Sequence, residues 1–288
     1  MKPQALLLRA VLCCALVVPT LAQAGAYLRV VSWNLRHEGW SGEQTYLDDA
    51  KQIWNQYGSN SASTNGCDLV FLQEVMDTSV PASIASALTQ LSGKTWSVAV
   101  TPLLGRSSYK EAYAVLYRTD VVTLLSSSVW SDTGDVFERE PQIVKVRQVA
   151  TAEDFTFINW HTLFGTEAER AAELAAIHTV FNSVQAGSTS DQDVILLGDH
   201  NAPGTSAWWN TFKASVSPAV SCKLDVATTL NTSGGFVNAY DHFWMQSTYV
   251  TEFSSAVRDY VASTTDFVTR LSDHAPVNLK LYSSSSTD

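Results

Sequence analysis

Cysteine is scarce in this chain: four occur in 288 residues, at positions 13, 14, 67 and 222. With no cluster of thiolates and no close histidine pair, nothing argues for a structural zinc site. Long apolar runs are missing too. The longest, Ala10 to Val18, falls well short of the roughly 20 residues that a membrane-spanning helix needs. It follows Lys2 and Arg9 and precedes Pro19 and Ala22-Gln23-Ala24, the form of a secretory signal peptide over residues 1–24. Cleavage there would leave 264 of the 288 residues, 25–288, as an exported extracellular or periplasmic protein without membrane insertion. Cys13 and Cys14 would leave with the signal. The remaining Cys67 and Cys222 permit one bridge, worth about 5 kcal/mol across so long a loop.

Positive charge is the third shortage. Lysine and arginine number 18 against 28 acids, a net charge of −10, and loss of Lys2 and Arg9 takes it to −12. On charge alone a polyanionic partner is disfavoured. The cations are unevenly spread, however, since Arg106, Lys110, Arg118, Arg139, Lys145 and Arg147 gather within residues 106–147. No linker or internal repeat divides the mature chain, and only the tail from Ser283 is of low complexity. A single domain over 25–288, expected to be monomeric, follows.

Several runs read as strands by their β-branched and aromatic content: Tyr27–Trp33, Asp68–Leu72, Trp96–Val100, Ala112–Tyr117, Val121–Leu125, Ile143–Val149, Phe155–Trp160, Asp193–Leu197 and Val277–Tyr282. Helical spacing appears at Tyr46 or Leu47, Ala50, Ile53, Trp54 and Tyr57; at Val80, Ile84, Ala87, Leu88 and Leu91; and from Glu167 to about Val184, with Leu174, Ile177 and Phe181 on one stripe. Ser59 to Gly66 reads as a loop. Strands outnumber helices and often follow one another, which suits two packed sheets with helices outside better than a simple doubly wound sheet.

The apolar strands repeatedly end in a charged or amide residue. Asn34 follows Val30-Val31-Ser32-Trp33, Glu74 follows Val70-Phe71-Leu72-Gln73, and His161 follows Phe157-Ile158-Asn159-Trp160. Asp199 and Asn201 follow Ile195-Leu196-Leu197-Gly198, and Asp273-His274 precedes the last strand. Each alone has an ordinary explanation, such as a turn, a cap or a core histidine. Five together are hard to explain that way, because a carboxylate at a buried strand end is costly unless paired or metal-bound. Oxygen donors such as Glu74, Asp273, Asp199, Asn34 and Asn201 suit Mg²⁺ or Mn²⁺ with phosphate oxygens. His161 and His274 can move protons if carboxylates hold them, and Glu111 and Asp241 are candidates for that role.

Taken together these residues resemble the endonuclease/exonuclease/phosphatase superfamily and, within it, deoxyribonuclease I, over Val30 to Leu281. The most specific part is Leu104-Gly105-Arg106-Ser107-Ser108-Tyr109-Lys110-Glu111-x-Tyr113 with Phe137-x-Arg139-Glu140-Pro141; Trp33-Asn34, Gln73-Glu74, Gly198-Asp199-x-Asn201, Ala239-Tyr240-Asp241 and Ser272-Asp273-His274 complete it. The resemblance implies a four-layer α/β/β/α sandwich of two packed mixed sheets, and a nuclease that makes single-strand nicks in duplex DNA with little base specificity, leaving 5′-phosphate and 3′-hydroxyl ends. It implies Glu74 as principal metal ligand, with Asn34, Asp199, Asn201 and Asp273 holding metal, water and phosphate. His161 would pair with Glu111, and His274 with Asp241. Arg36, Arg139 and Tyr240 resemble phosphate contacts, and Tyr109 a sugar contact in the minor groove. Asp132, Asp135, Phe137 and Glu140 resemble a structural calcium loop.

The chain also departs from the pattern. Met76 stands where the family has a groove-reading arginine, His242 where it has an arginine, and His200 where it has a phenylalanine. Gly204 and Asn238 occupy the positions of a disulfide in vertebrate members. Two other readings share the scaffold: a sphingomyelinase-like phospholipase, for which Trp208-Trp209 is the nearest lipid-docking candidate, and the nuclease subunit of a multi-component genotoxin.

Overall fold

Alternation along the central strands decides the architecture, because their odd and even residues are both apolar and each set finds its own layer. The computed structural model describes residues 25–40, 45–55, 66–187, 192–258 and 264–284. The signal-peptide reading of 1–24 lies outside the described residues, as do Tyr57, most of the loop expected at 59–66 and the end of the serine-rich tail.

In chain order the strands are β1 (Ala26–Glu38), β2 (Leu69–Val75), β3 (Trp96–Val100), β4 (Ala112–Arg118), β5 (Val122–Val129), β6 (Gln142–Gln148), β7 (Asp154–Asn159), β8 (Val194–Asp199), β9 (Val220–Cys222), β10 (Asp241–Gln246), β11 (Phe253–Arg258) and β12 (Val277–Ser283). The helices are α1 (Tyr46–Asn55), α2 (Val80–Ser92), α3 (Glu167–Gly187), α4 (Asn210–Ser215) and α5 (Thr264–Arg270). Two six-stranded sheets form, in the orders β11-β12-β1-β2-β4-β3 and β5-β6-β7-β8-β10-β9. Both are mixed, since β1–β2 and β7–β8 run parallel while the β1–β12 and β8–β10 pairs are antiparallel.

Leu28 and Val30 of β1, Phe71 of β2, Phe157 of β7, Leu197 of β8 and Phe243 of β10 meet in one core between the sheets. Their strand neighbours point outward. Val31, Trp33 and Leu72 pack with Ile53, Ile84 and Phe267 from α1, α2 and α5, and Ile158, Trp160 and Trp244 pack with Leu174, Phe181 and Phe212 from α3 and α4. The result is the expected α/β/β/α sandwich. Burial of apolar area on both faces of each sheet drives it, at roughly 25 cal/mol per Å².

A buried polar chain ties the two sheets together beneath their common end. Gln73 Nε2 donates to Asn159 Oδ1 at 2.7 Å and to Ser32 Oγ at 3.2 Å, and Asn159 Nδ2 donates to Gln142 Oε1 at 3.1 Å. Such groups are costly unless satisfied, so they hold the relative placement of the sheets.

Strands β9, β10 and β11 and helices α4 and α5 were not expected from the pattern. Each is short, and β11 carries Ser254-Ser255 while β10 begins and ends in polar residues, so local composition gives little signal. A Cys67–Cys222 bridge does not form: both thiols are free, Cys67 inside the α1–α2 layer and Cys222 against the α3–α4 layer, on opposite faces of the sandwich. Trp209 is fully buried, and Trp208 is half-buried with the Arg170 guanidinium 5.3 Å from its ring centre, so the pair belongs to the core layer and not to a lipid-docking face.

Candidate active site

The polar strand ends converge at one end of the sandwich, in a cleft of about 830 Å³ between the two sheets. Of the expected catalytic, metal and substrate residues, Glu111, Asp241 and Asn34 lie behind the cleft and the other ten line it.

Local backbone irregularities aim these groups. The β1–β2 register shifts between Asn34 and Glu38, and the β2–β4 register between Leu72 and Val75. Bulges of this kind bend a strand and redirect a side chain. Arg36, His37, Glu74 and Asn201 all adopt positive φ, between 48° and 64°, although none is glycine. Such strain persists only where surrounding structure holds it, and it gathers at functional sites. Gly198, at φ 131°, lets the Trp160 carbonyl approach so closely that a Cβ would sit 2.0 Å from its oxygen. That contact places Asp199 beside the strand carrying His161.

His161 is almost fully buried. Its Nδ1 lies 2.5 Å from Glu111 Oε1, and its backbone N donates to Tyr113 Oη at 3.1 Å. Burial opposes charge on the ring, but the Glu111 carboxylate outweighs it and raises the pKa. For Glu111 itself, burial is overcome by His161 and Arg139 and the pKa falls. Arg139 Nε reaches the same Oε1 at 2.6 Å, a contact of charges more than a directed bond, and Nη2 donates to the Thr162 carbonyl at 3.2 Å. Arg139 is only 4% exposed. It is thus placed to clamp Glu111, a role the sequence did not reveal. Tyr109 Oη adds a 3.4 Å contact to Glu111 Oε2.

The second histidine is built the same way from the other direction. His274 Nδ1 lies 2.8 Å from Asp241 Oδ2, its backbone N donates to Ser272 Oγ at 2.9 Å, and its carbonyl accepts from Trp33 Nε1 at 2.7 Å. Thr228 Oγ1 accepts from the backbone N of Asp241 at 3.2 Å. Burial again opposes the charge, and Asp241 and Asp199 overcome it, holding the pKa well above the ordinary histidine value. Ser272 entered the sequence reading only as part of the Ser272-Asp273-His274 motif, where a hydroxyl two residues before a histidine is the signal, and Thr228 did not stand out at all.

Asp199 sits between the two rings, its Oδ2 3.6 Å from His161 Nε2 and 3.3 Å from His274 Nε2. Burial opposes its charge, yet the two imidazoles lower its pKa. Asn34 Nδ2 donates to Asp199 Oδ2 at 3.0 Å and to Glu74 Oε1 at 2.9 Å, cross-linking the two carboxylates. Glu74, His161 and Asp199 offer ligand atoms that all lie within 4.8 Å of one another. Two carboxylates held this close at the floor of a cleft favour a cation between them, and oxygen donors fit a hard divalent ion. The residues present therefore fit a divalent metal. Asp273 lies across the cleft, where its carboxylate faces Arg36 Nε at 3.9 Å. Asn201 Nδ2 donates to the Thr162 carbonyl at 2.8 Å and lies 3.2 Å from His161 Nε2.

The remaining expected residues have varied settings. Arg36 and Tyr240 line the cleft, with Arg36 Nη1 donating to the Val268 carbonyl. In the loop expected to hold calcium, Asp132 Oδ2 accepts the backbone N–H groups of Val136 and Phe137, Asp135 pairs with Arg106 at 2.9 Å, and Phe137 is buried against Trp160. Glu140 is half-buried. His200 packs as an aromatic ring against Trp160, Trp209 and His242, and burial holds its pKa far below the usual value. His242 is also buried, with Nδ1 2.7 Å from the Leu224 carbonyl and Nε2 2.9 Å from that of Ala202. Glu173 was missed altogether: from α3 its carboxylate accepts the backbone N–H groups of Glu138 and Leu163, bracing the loops that carry Arg139 and follow His161.

A model of the Endonuclease/Exonuclease/phosphatase family matches residues 31–274, and the chain belongs to that family. Relatives include a deoxyribonuclease of Thioalkalivibrio sp. (strain K90mix), 29% identical over 289 residues that span 94% of this chain and 76% of that protein. Deoxyribonuclease-1 of Bos taurus is 28% identical over 288 residues, spanning 92% of this chain and 96% of that one. The chain's family and its deoxyribonuclease relatives, together with this site, make it a hydrolase acting on phosphodiester bonds. Among solved structures, an endonuclease/exonuclease/phosphatase family protein from Bacteroides thetaiotaomicron superposes with a TM-score of 0.64 at 17% identity, covering 90% of this chain and 96% of that chain. The human Nocturnin catalytic domain does so at 0.59 and 15%, covering 89% and 94%. At such identities the structural likeness speaks for the fold alone.

Proposed function

We propose that this protein is an exported, divalent-metal-dependent endodeoxyribonuclease that hydrolyses DNA with low sequence specificity and leaves 5′-phosphate ends. The observation that carries the reading is the pair of histidines flanking Asp199, each with Nδ1 committed to a buried carboxylate and Nε2 turned toward the cleft. That arrangement leaves one nitrogen on each ring for proton transfer: one to take a proton from the attacking water, the other to deliver one to the leaving 3′ oxygen. Mg²⁺ or Mn²⁺ held by Glu74 and Asp199 would supply charge stabilisation at the phosphoryl oxygens. Asn34 keeps those carboxylates in register, and Arg36 and Tyr240 would meet phosphate, a part of DNA that carries no sequence. Export through residues 1–24, one catalytic domain over 25–288 and a monomeric state belong to the same reading.

Nicking of supercoiled plasmid with Mg²⁺, with and without a chelator, beside sphingomyelin and inositol phosphate substrates, tests the proposal. Chelator-sensitive nicking with ends that are 5′-phosphorylated is expected, and His161→Ala should lower the rate by about 10² to 10⁴. Turnover of a lipid with no action on DNA would reverse the assignment.

A further inference from the structure

Three rings, from the end of β1 and the residues just after it and from the loop before β4, meet at one rim of the cleft. The centroid of His37 lies 4.9 Å from that of Trp40 and 5.7 Å from that of Tyr109, both near perpendicular, and Trp40 lies 5.5 Å from Tyr109. Trp40 nonetheless leaves 51% of its surface in solvent. Beside it Met76, Leu103 and the exposed Lys110 line a shallow cleft of about 430 Å³ together with Trp40 and Tyr109. This surface continues into the catalytic cleft through Tyr109, which lines both, while His37 lines the catalytic cleft and packs against Trp40 and Tyr109. It is also anchored to the chemistry: His37 Nε2 is 3.1 Å from Glu74 Oε2, and Tyr109 Oη is 3.4 Å from Glu111 Oε2. A flat group stacked there would sit at a set distance from the scissile phosphate.

An indole half in water beside methionine and leucine gains free energy when covered. The chain is acidic, at −10, so broad attraction to phosphates contributes little to its grip on DNA. Stacking does not depend on net charge. In closed duplex each base already has neighbours on both faces, so such a surface can stack a base only where the duplex stack is open. Resting on the reading of DNA as substrate, we infer that Trp40, braced by His37 and Tyr109, is a stacking platform for one unpaired base of the cleaved strand. Lys110 stands ready for an adjoining phosphate, and the enzyme cuts single-stranded or locally opened DNA faster than closed duplex.

The test compares kcat/KM on a fluorescent single-stranded oligonucleotide, on the same strand with one abasic residue moved along it, and on the matching duplex. Wild-type, Trp40→Ala and Trp40→Phe proteins of equal melting temperature are used. Wild type should prefer the single strand and be slowed by base removal at one position near the cut. Trp40→Ala should lose about 5- to 140-fold on the intact single strand, the equivalent of about 1–3 kcal/mol per stacked base, lose less on duplex, and no longer respond to the abasic residue. Trp40→Phe should restore most of the loss. If Trp40→Ala lowers both rates by one factor, or changes neither, the platform is wrong. Failure of wild type to cut any DNA would overturn instead the reading on which it rests.

Discussion

Asp241→Asn tests the site most directly. Asp241 is fully buried and its Oδ2 lies 2.8 Å from His274 Nδ1, while Oδ1 makes no hydrogen bond, so the amide disturbs one contact and keeps the shape. What it removes is charge. An opposite charge about 4 Å away is worth about 4 kcal/mol at an effective dielectric near 20, or nearly a thousandfold in favour of the protonated ring at about 1.4 kcal/mol per tenfold. The amide can also turn its NH₂ toward Nδ1, moving the ring proton to the nitrogen that faces the cleft. A loss of about 10² to 10⁴ in plasmid-nicking kcat is expected, the usual share of a positioned proton-transfer group. The cost in stability should be only about 1–3 kcal/mol, that of one imperfectly satisfied buried group. In a His274→Ala background the same substitution should add little, because residues acting as one unit are not additive. Nicking by Asp241→Asn within threefold of wild type would refute the reasoning, as would a full further loss in the His274→Ala background.

Other outcomes follow from groups that shape stability. Asp49 in α1 is buried beside Glu38, and burial first, then that neighbour, raises its pKa to about 8. Its folded pKa lies above the unfolded one, so stability falls as pH rises from about 4 to 8; Asp49→Asn should stabilise by about 2–4 kcal/mol at pH 7 and by almost nothing at pH 4, read from denaturant midpoints. An equal gain at both pH values would count against a buried neutral carboxyl. His242 is raised to about 9, burial being outweighed by the Cys222 sulfur and by the Ala202 and Leu224 carbonyls, which demand N–H on both nitrogens. Its contribution, roughly 3 kcal/mol at most, is present in full below about pH 6.5 and lost as pH rises through about 9; a His242→Gln protein should lack that segment of the melting-temperature profile, and an unaltered profile would remove the imidazolium. Gly198→Ala should fail to accumulate or melt far below wild type, since its Cβ would collide with the Trp160 carbonyl at 2.0 Å; a near-normal melting temperature would show that the strand can shift.

Most central strands were legible because alternation and β-branched content are properties of short segments. Val30 to Trp33, Val70 to Leu72 and Ile195 to Leu197 carry apolar residues on both parities, and each parity fills a separate core. Strand β10 was not legible: Asp241-His242 at its start looks polar locally, and both residues are buried only because β8 and the Leu224 and Ala202 carbonyls surround them.

The sequence by itself determined the chemistry on offer: amides, carboxylates and two histidines at strand ends, in a chain too poor in cysteine for thiolate sites and too poor in cations to attract DNA by net charge. Residue type and short-range periodicity are local, so they can be read along the chain. Only the tertiary structure decided how those groups are used. It made Asn34 the cross-link between Glu74 and Asp199, set Arg139 against Glu111, turned His200 into an aromatic filler and brought Trp40 against Tyr109. Those roles depend on contacts between residues 28 to 165 positions apart, and on the burial that sets the cost of each unpaired charge.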